Sequence, residues 1–317
     1  MPKFEKVVLI TKETPLQGLR QRYGTKSQAR FVMEQQHVAF DSYERFDETY
    51  SGALERIRRS LPAGTRVSVV DLKYLPTYQF DPTAAVVTVG PDGLVANTAK
   101  YLTSQPLIAV NPDPATIDGV LARNSVEEAL GLLAGAIEPI EQPLAMAEAH
   151  LADGQTLLAV NDLFIGQKTH VSARYEIRFG NVHEQQSSSG VIVSTGAGST
   201  GWRRSILTGA SGIVQAEGQI KAEQQGNLSF AFAPESRRLA FAVREPFVSR
   251  ASSANLIAGS ILESQKLVLT SQMPQNGVIF SDGIEADYLE FNSGAIASIG
   301  LAKRTVRLWS YRLQSRR

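Results

Sequence analysis

Asp92 is the residue whose neighbours best equip it for chemistry. It lies in Gly90-Pro91-Asp92-Gly93, after the apolar run Val86-Val87-Thr88-Val89 and before a helix-like segment, Leu94 to Leu102. A buried strand ending in a glycine turn with one carboxylate puts a proton acceptor where α/β sheets hold ligands. The helix start beyond it supplies free N–H groups that suit phosphate. The same residues also spell an ordinary turn: Pro fixes φ, Asp bonds locally and Gly permits φ > 0.

Three later stretches have related chemistry. Asn161-Asp162 stands where an apolar run breaks. An amide beside a carboxylate offers donors and acceptors to a ribose diol or an adenine edge, although a plain turn fits too. Val191-Ile192-Val193 leads into Ser194-Thr195-Gly196-Ala197-Gly198-Ser199-Thr200-Gly201, with Arg203 and Arg204 beyond. Glycines among small hydroxyl residues let backbone amides approach a phosphate closely. The spacing is neither a P-loop nor the dinucleotide fingerprint, and a flexible loop with an N-cap at Ser199 is the plainer reading. Ser281-Asp282-Gly283 ends another apolar run, with Glu285 and Asp287 after it; Asp-Gly is also a hairpin turn. The basic segment Thr11 to Lys26, with Lys12, Arg20, Arg22 and Lys26, reads as a solvated loop or a phosphate contact.

These residues need elements to hold them. Val7–Ile10, Val67–Val70 and Leu107–Val110 read as strands, and Ser27–Gln36, Tyr43–Ser60 and Val126–Ile137 as helices. Ser125 with Glu128 forms a capping-box pattern. Continuously apolar strands alternating with helices predict a parallel sheet covered on both faces. After Pro139 the texture changes to successive strands: Gln142–Leu151, Thr156–Phe164, Thr169–Phe179, Val191–Ser194, Leu239–Val243, Lys266–Thr270, Gly277–Phe280 and Ile296–Ile299. That pattern predicts a separate β-rich domain. The expected division is a nucleotide-binding α/β domain over 1–139 and a substrate-binding β-rich domain over 140–300. The strand-like Thr305–Arg312, within 301–317, returns to the first domain, and Ser211–Ser236 reads as a long connection or flap.

Composition narrows the function. Net charge is +1, so nothing global favours nucleic acid or an anionic membrane. There is no cysteine, and the four histidines, His37, His150, His170 and His183, lack ligand spacing. No apolar run approaches a membrane span. The opening MPKFEKVVLITK does not read as a signal peptide, so a cytoplasmic location is expected.

In order and spacing, the strings VGPDGL, IAVNPDP, NDLFIG with SARYEI, SSGVIVSTGAGSTGW, VREP with Arg250, and SDG with EFNSGAIASI resemble the ATP-dependent NAD kinases. The likeness is closest to the divergent branch that includes the mitochondrial-type enzyme, and it runs from about Val7 to Ile299. It implies a Rossmann-like α/β domain followed by a β-sandwich-like domain. It also implies phosphorylation of the adenosine ribose 2′-hydroxyl of NAD by ATP with Mg²⁺, in a homodimer. The family's general base maps onto Asp92, and its ribose-binding Asn-Glu pair onto Asn161 and Asp162. Its glycine-serine segment maps onto Thr195, Gly198, Ser199 and Thr200, and further nucleotide contacts onto Gly90, Gly93 and Asp282. Pro91 replaces a second glycine, Asp162 replaces glutamate, and Gly201-Trp202 departs from the common small-aromatic pair. Two other readings stay open: a kinase of a sugar or lipid hydroxyl, and a nucleotide-binding protein weakened in catalysis by Pro91.

Overall fold

The structure, a computed structural model, describes residues 3–218 and 231–311. It divides into two compact units, residues 1–142 with 306–317 and residues 143–305.

The first unit is built from β1 (Lys6–Thr11), α1 (Pro15–Tyr23), α2 (Lys26–Gln35), α3 (Asp41–Ser60), β2 (Arg66–Asp71), β3 (Ala85–Val89), α4 (Asp92–Ala99), β4 (Pro106–Val110) and α5 (Val126–Ala134). Its strands run parallel in the order β2-β1-β3-β4. Every residue of β3 and β4 is buried, as a sheet covered on both faces requires. Val7, Leu9, Val87, Val89, Ile108 and Val110 pack against Tyr50 and Ile57 of α3 and Leu132 of α5. The Ser125–Glu128 capping box is present, and Gly135 closes α5 in the left-handed conformation, φ 73°. The basic segment after β1 is irregular over Lys12 to Thr14 and then mostly helical, not a loop throughout. Thr14 and Gln17 form a capping box with Pro15 at the first helical position, and α1 follows.

The second unit contains most of β5 (Ile140–Leu151), then β6 (Thr156–Ala159), β7 (Asp162–Gln167), β8 (Ala173–Phe179), β9 (Val182–Ser188), β10 (Val191–Ser194), α6 (Trp202–Ala216), β11 (Arg238–Val243), β12 (Ala258–Leu262), β13 (Leu267–Ser271), β14 (Gly277–Ser281), β15 (Ile284–Glu290) and the first part of β16 (Ile296–Ser310). One antiparallel sheet runs β12-β11-β10-β7-β14-β15. A second set runs β16-β13-β8-β9, with β5 beside β16 and β6. Leu163, Ile165, Val193 and Phe241 from the first meet Tyr175, Ile177, Leu269 and Ile299 from the second in one core. That arrangement is a β-sandwich.

The run Thr156–Phe164, read as one strand, is two, broken at Val160-Asn161. The helix after Gly201 extends to Ala216, into what reads as a flap; residues 219–230 of that flap lie outside the described residues. The two C-terminal runs form the single strand β16, whose Arg307–Trp309 pairs in parallel with β4.

Candidate active site

In the first unit, β3 ends at Val89 and the chain turns at Gly90, φ 141°, a conformation that favours glycine. The Gly90 N–H donates to the Val110 carbonyl at 3.0 Å, tying the turn to β4. Pro91 is the N-cap of α4 with φ −72°, inside the range of proline, so the left-handed position precedes it and does not coincide with it. Asp92 is therefore the first helical residue, not a loop residue. Its Oδ2 accepts the Val120 N–H at 2.8 Å, and Oδ1 accepts those of Leu121 and Ala122 at 2.9 Å each. A carboxylate has about four acceptor positions. The half-buried Asp92 uses three on backbone, which leaves one on Oδ2. Gly93 is exposed, with open space where a Cβ would stand.

The second unit repeats the device. Asp282 and Gly283, φ 52° and 75°, form the hairpin turn between β14 and β15. The Asp282 carboxylate accepts backbone N–H groups of Val160 (3.0 Å), Asn161 (2.7 Å) and Asp162 (3.3 Å). It thereby holds the break between β6 and β7 and fixes the Asn161 backbone. The Asn161 side chain, partly exposed, makes no hydrogen bond with a described residue. The segment after β10 packs on the same break. The Thr195 N–H donates to the Asn161 carbonyl at 2.9 Å and the Thr195 hydroxyl to the Val160 carbonyl. The Ser199 hydroxyl donates to the Gly196 carbonyl at 2.7 Å. Gly196, Gly198 and Ser199 are buried. A Cβ on Gly198 would stand 2.2 Å from the Asn161 carbonyl oxygen, and one on Gly196 2.0 Å from that of Ala233. Gly196 and Gly198 thus serve close approach to the protein's own backbone. Ser199 caps no helix; it lies in a short 3-10 turn, Gly198–Thr200, with Thr200 exposed.

Asp162 differs from its neighbour Asn161 in environment. It is 9% exposed and accepts the Ser194 hydroxyl. Burial raises its pKa to about 7, with the nearby Asp282 charge adding to the rise and the Ser194 hydrogen bond opposing it. Folding therefore favours the protonated form. That contribution is fully present below about pH 4, the unfolded pKa, and is lost as pH rises through about 7. Asp162→Asn, neutral throughout and still able to accept from Ser194, should melt close to the parent at pH 4.5 and above it at pH 8. The gain is a few kcal/mol, from about 1.4 per pKa unit. A melting difference that stays constant between those pH values would show that Asp162 does not titrate there.

Trp202 has its ring stacked at 5.7 Å on Phe164. Both border a cavity of about 300 Å³ in the second unit, also lined by Phe280 and Arg244. Sequence reasoning missed the clamp around each aspartate. Its partners, Val120 to Ala122 and Val160 to Asp162, contribute backbone alone, so no side-chain pattern marks them.

Each unit thus ends an apolar strand in a carboxylate that organises a neighbouring loop, one at a parallel sheet's carboxyl edge and one in a β-sandwich. No protein-family model matches the chain. NAD kinase 2, mitochondrial, of Rattus norvegicus is 25% identical over 94% of this chain and 85% of its own length. The Homo sapiens protein of the same name is 26% identical over 96% and 84%. The solved structure of yeast NADH kinase complexed with NADH superposes with a TM-score of 0.58 at 14% identity, over 96% of this chain and 83% of that one. The fold is that of the NAD(H) kinases. Along nearly its whole length the chain itself is similar to the mitochondrial-type NAD kinases.

Proposed function

We propose that this chain transfers the γ-phosphoryl group of ATP to the adenosine ribose 2′-hydroxyl of NAD, giving NADP and ADP. The observation that carries the reading is likeness to proteins named NAD kinase along 94% to 96% of the chain. The geometry of Asp92 supports it: the one open acceptor position on Oδ2 takes the hydroxyl hydrogen and aims the oxygen. As the new O–P bond forms and the β–γ bridging bond of ATP breaks, the proton passes to Asp92. Phosphoryl transfer asks a protein mainly for alignment and charge stabilisation. The Asn161 amide, its backbone held by Asp282, is the candidate ribose contact, and Thr200 is the accessible member of its segment.

Mg²⁺ belongs to the same proposal. Among the described residues no group of three or more His, Cys, Asp or Glu converges on a metal position. The ATP phosphates and water would hold the ion, and it would supply charge neutralisation there. The φ of −72° at Pro91 suits proline, which supports this turn as the site of catalysis, with contacts there made by groups other than the N–H that proline lacks.

A cytoplasmic location and a homodimer complete the reading. Among the described residues no helix is long and apolar enough to cross a membrane, while the named relatives are mitochondrial. Subcellular fractionation and light scattering test those two points. The central test is NADP formation from NAD, ATP and Mg²⁺, with NADH, sugars and diacylglycerol as competing acceptors. Phosphorylation of a sugar or lipid without NADP or NADPH would sink the proposal.

A further inference from the structure

Lys12 is the first residue after β1. Ile10 of β1 lies opposite Thr88 of β3 in the parallel register. Lys12 and Gly90, each two residues further, therefore leave adjacent strands at one level, about 5 Å apart by ordinary strand spacing. Tyr50 binds the two together. Its Oη accepts the Lys12 N–H at 2.9 Å, and its ring stands 3.8 Å from where a Cβ on Gly90 would be. Tyr50 is itself buried and stacked on Phe46, so the brace is rigid. The Lys12 backbone is thus fixed against the turn that carries Asp92.

Lys12 is a half-buried residue, and loss of solvent holds the pKa of its ammonium below the usual lysine value. Among the described residues no carboxylate pairs with it. A desolvated cation without a counter-ion is unfavourable unless an anion arrives to complete it. We infer that Lys12 binds the transferring phosphate of the donor nucleotide. This rests on the kinase reading above, in which Asp92 holds the attacking hydroxyl. That oxygen must stand about 3–3.5 Å from the phosphorus. A cation on a flexible four-carbon stem, rooted at the same turn, reaches the oxygens of that phosphate.

The test varies ATP and NAD separately in the full chain. Lys12→Gln should lower kcat/KM for ATP by about 10- to 100-fold, the usual effect of losing one charged hydrogen bond. KM for NAD should stay within about twofold, and Lys12→Arg should recover most of the loss because the charge remains. Inorganic tripolyphosphate should raise the melting temperature of the parent and not that of Lys12→Gln. Should Lys12→Gln fail to fold by circular dichroism, Lys12→Met keeps the stem's packing and replaces it. Unchanged ATP kinetics, or a loss confined to NAD, overturns the inference; the second result would assign Lys12 to the dinucleotide's own phosphates. If the parent makes no NADP at all, the kinase reading fails, and the tripolyphosphate shift still decides whether Lys12 holds phosphate.

Discussion

Asp92→Asn should lose about 10²- to 10⁴-fold in kcat, the span typical of general-base help. The geometry says why asparagine is the informative change. Its carbonyl oxygen can replace Oδ1 and keep the N–H groups of Leu121 and Ala122. Its amide nitrogen then takes the place of Oδ2, removing the one acceptor position left for the substrate hydroxyl. The same swap turns an NH₂ group toward the Val120 N–H, which loses its acceptor. The variant should therefore also lose about 1–3 kcal/mol of stability, the cost of one unsatisfied donor. Kinetics and melting separate the two effects, since a loss of stability alone leaves the rate per folded molecule unchanged. NAD should still bind. A near-normal kcat in the folded variant would remove Asp92 from proton transfer and leave it only the loop-anchoring role.

That double duty was only half legible in the sequence. The run Val86–Val89 and the turn after it identify Asp92 as a strand-end carboxylate, because burial and turn chemistry are local. What the carboxylate grips is not local: its donors lie 28 to 30 residues away and are plain backbone. Asp282 shows the same limit more severely, reaching back 120 to 122 residues to make the break between β6 and β7. The apolar break at Asn161-Asp162 is visible within Thr156–Phe164, but with no sight of that contact the stretch still reads as one strand. Helix α1 was hidden for a different reason. Leu16 is its one buried residue, so charge outweighs its apolar stripe and the capping box is the only clear sign. Strand β9, VHEQQSS, is a polar strand whose inward residues are Gln186 and Ser188, both bonded to Tyr175. Alternation there carries no hydrophobic signal. By contrast the Ser125–Glu128 box and the Asp282-Gly283 hairpin are short-range devices, and both stand as read.

Gly198→Ala separates the two accounts of the glycine-serine segment. If its glycines exist to admit a ligand, alanine weakens NAD binding and leaves the fold intact. The structure demands otherwise. The new Cβ would meet the Asn161 carbonyl oxygen at 2.2 Å, its carbon at 2.6 Å and its Cα at 2.9 Å. These are backbone atoms already fixed by the N–H groups that Asp282 accepts and by the Thr195 N–H, so they have nowhere to yield. Overpacking usually costs about 1–3 kcal/mol, and a clash with anchored backbone falls at or beyond the upper end. At about 3 kcal/mol, the melting temperature of a domain this size drops by roughly 6–12 °C. Gly209→Ala is the control: within α6, with nothing in 4 Å of its Cβ position, it should stabilise by up to about 1 kcal/mol through helix propensity. One substitution type with opposite signs at two glycines of one region would tie Gly198 to the packing that seats Asn161. A Gly198→Ala protein that melts like the parent yet fails to bind NAD would return the segment to direct ligand contact.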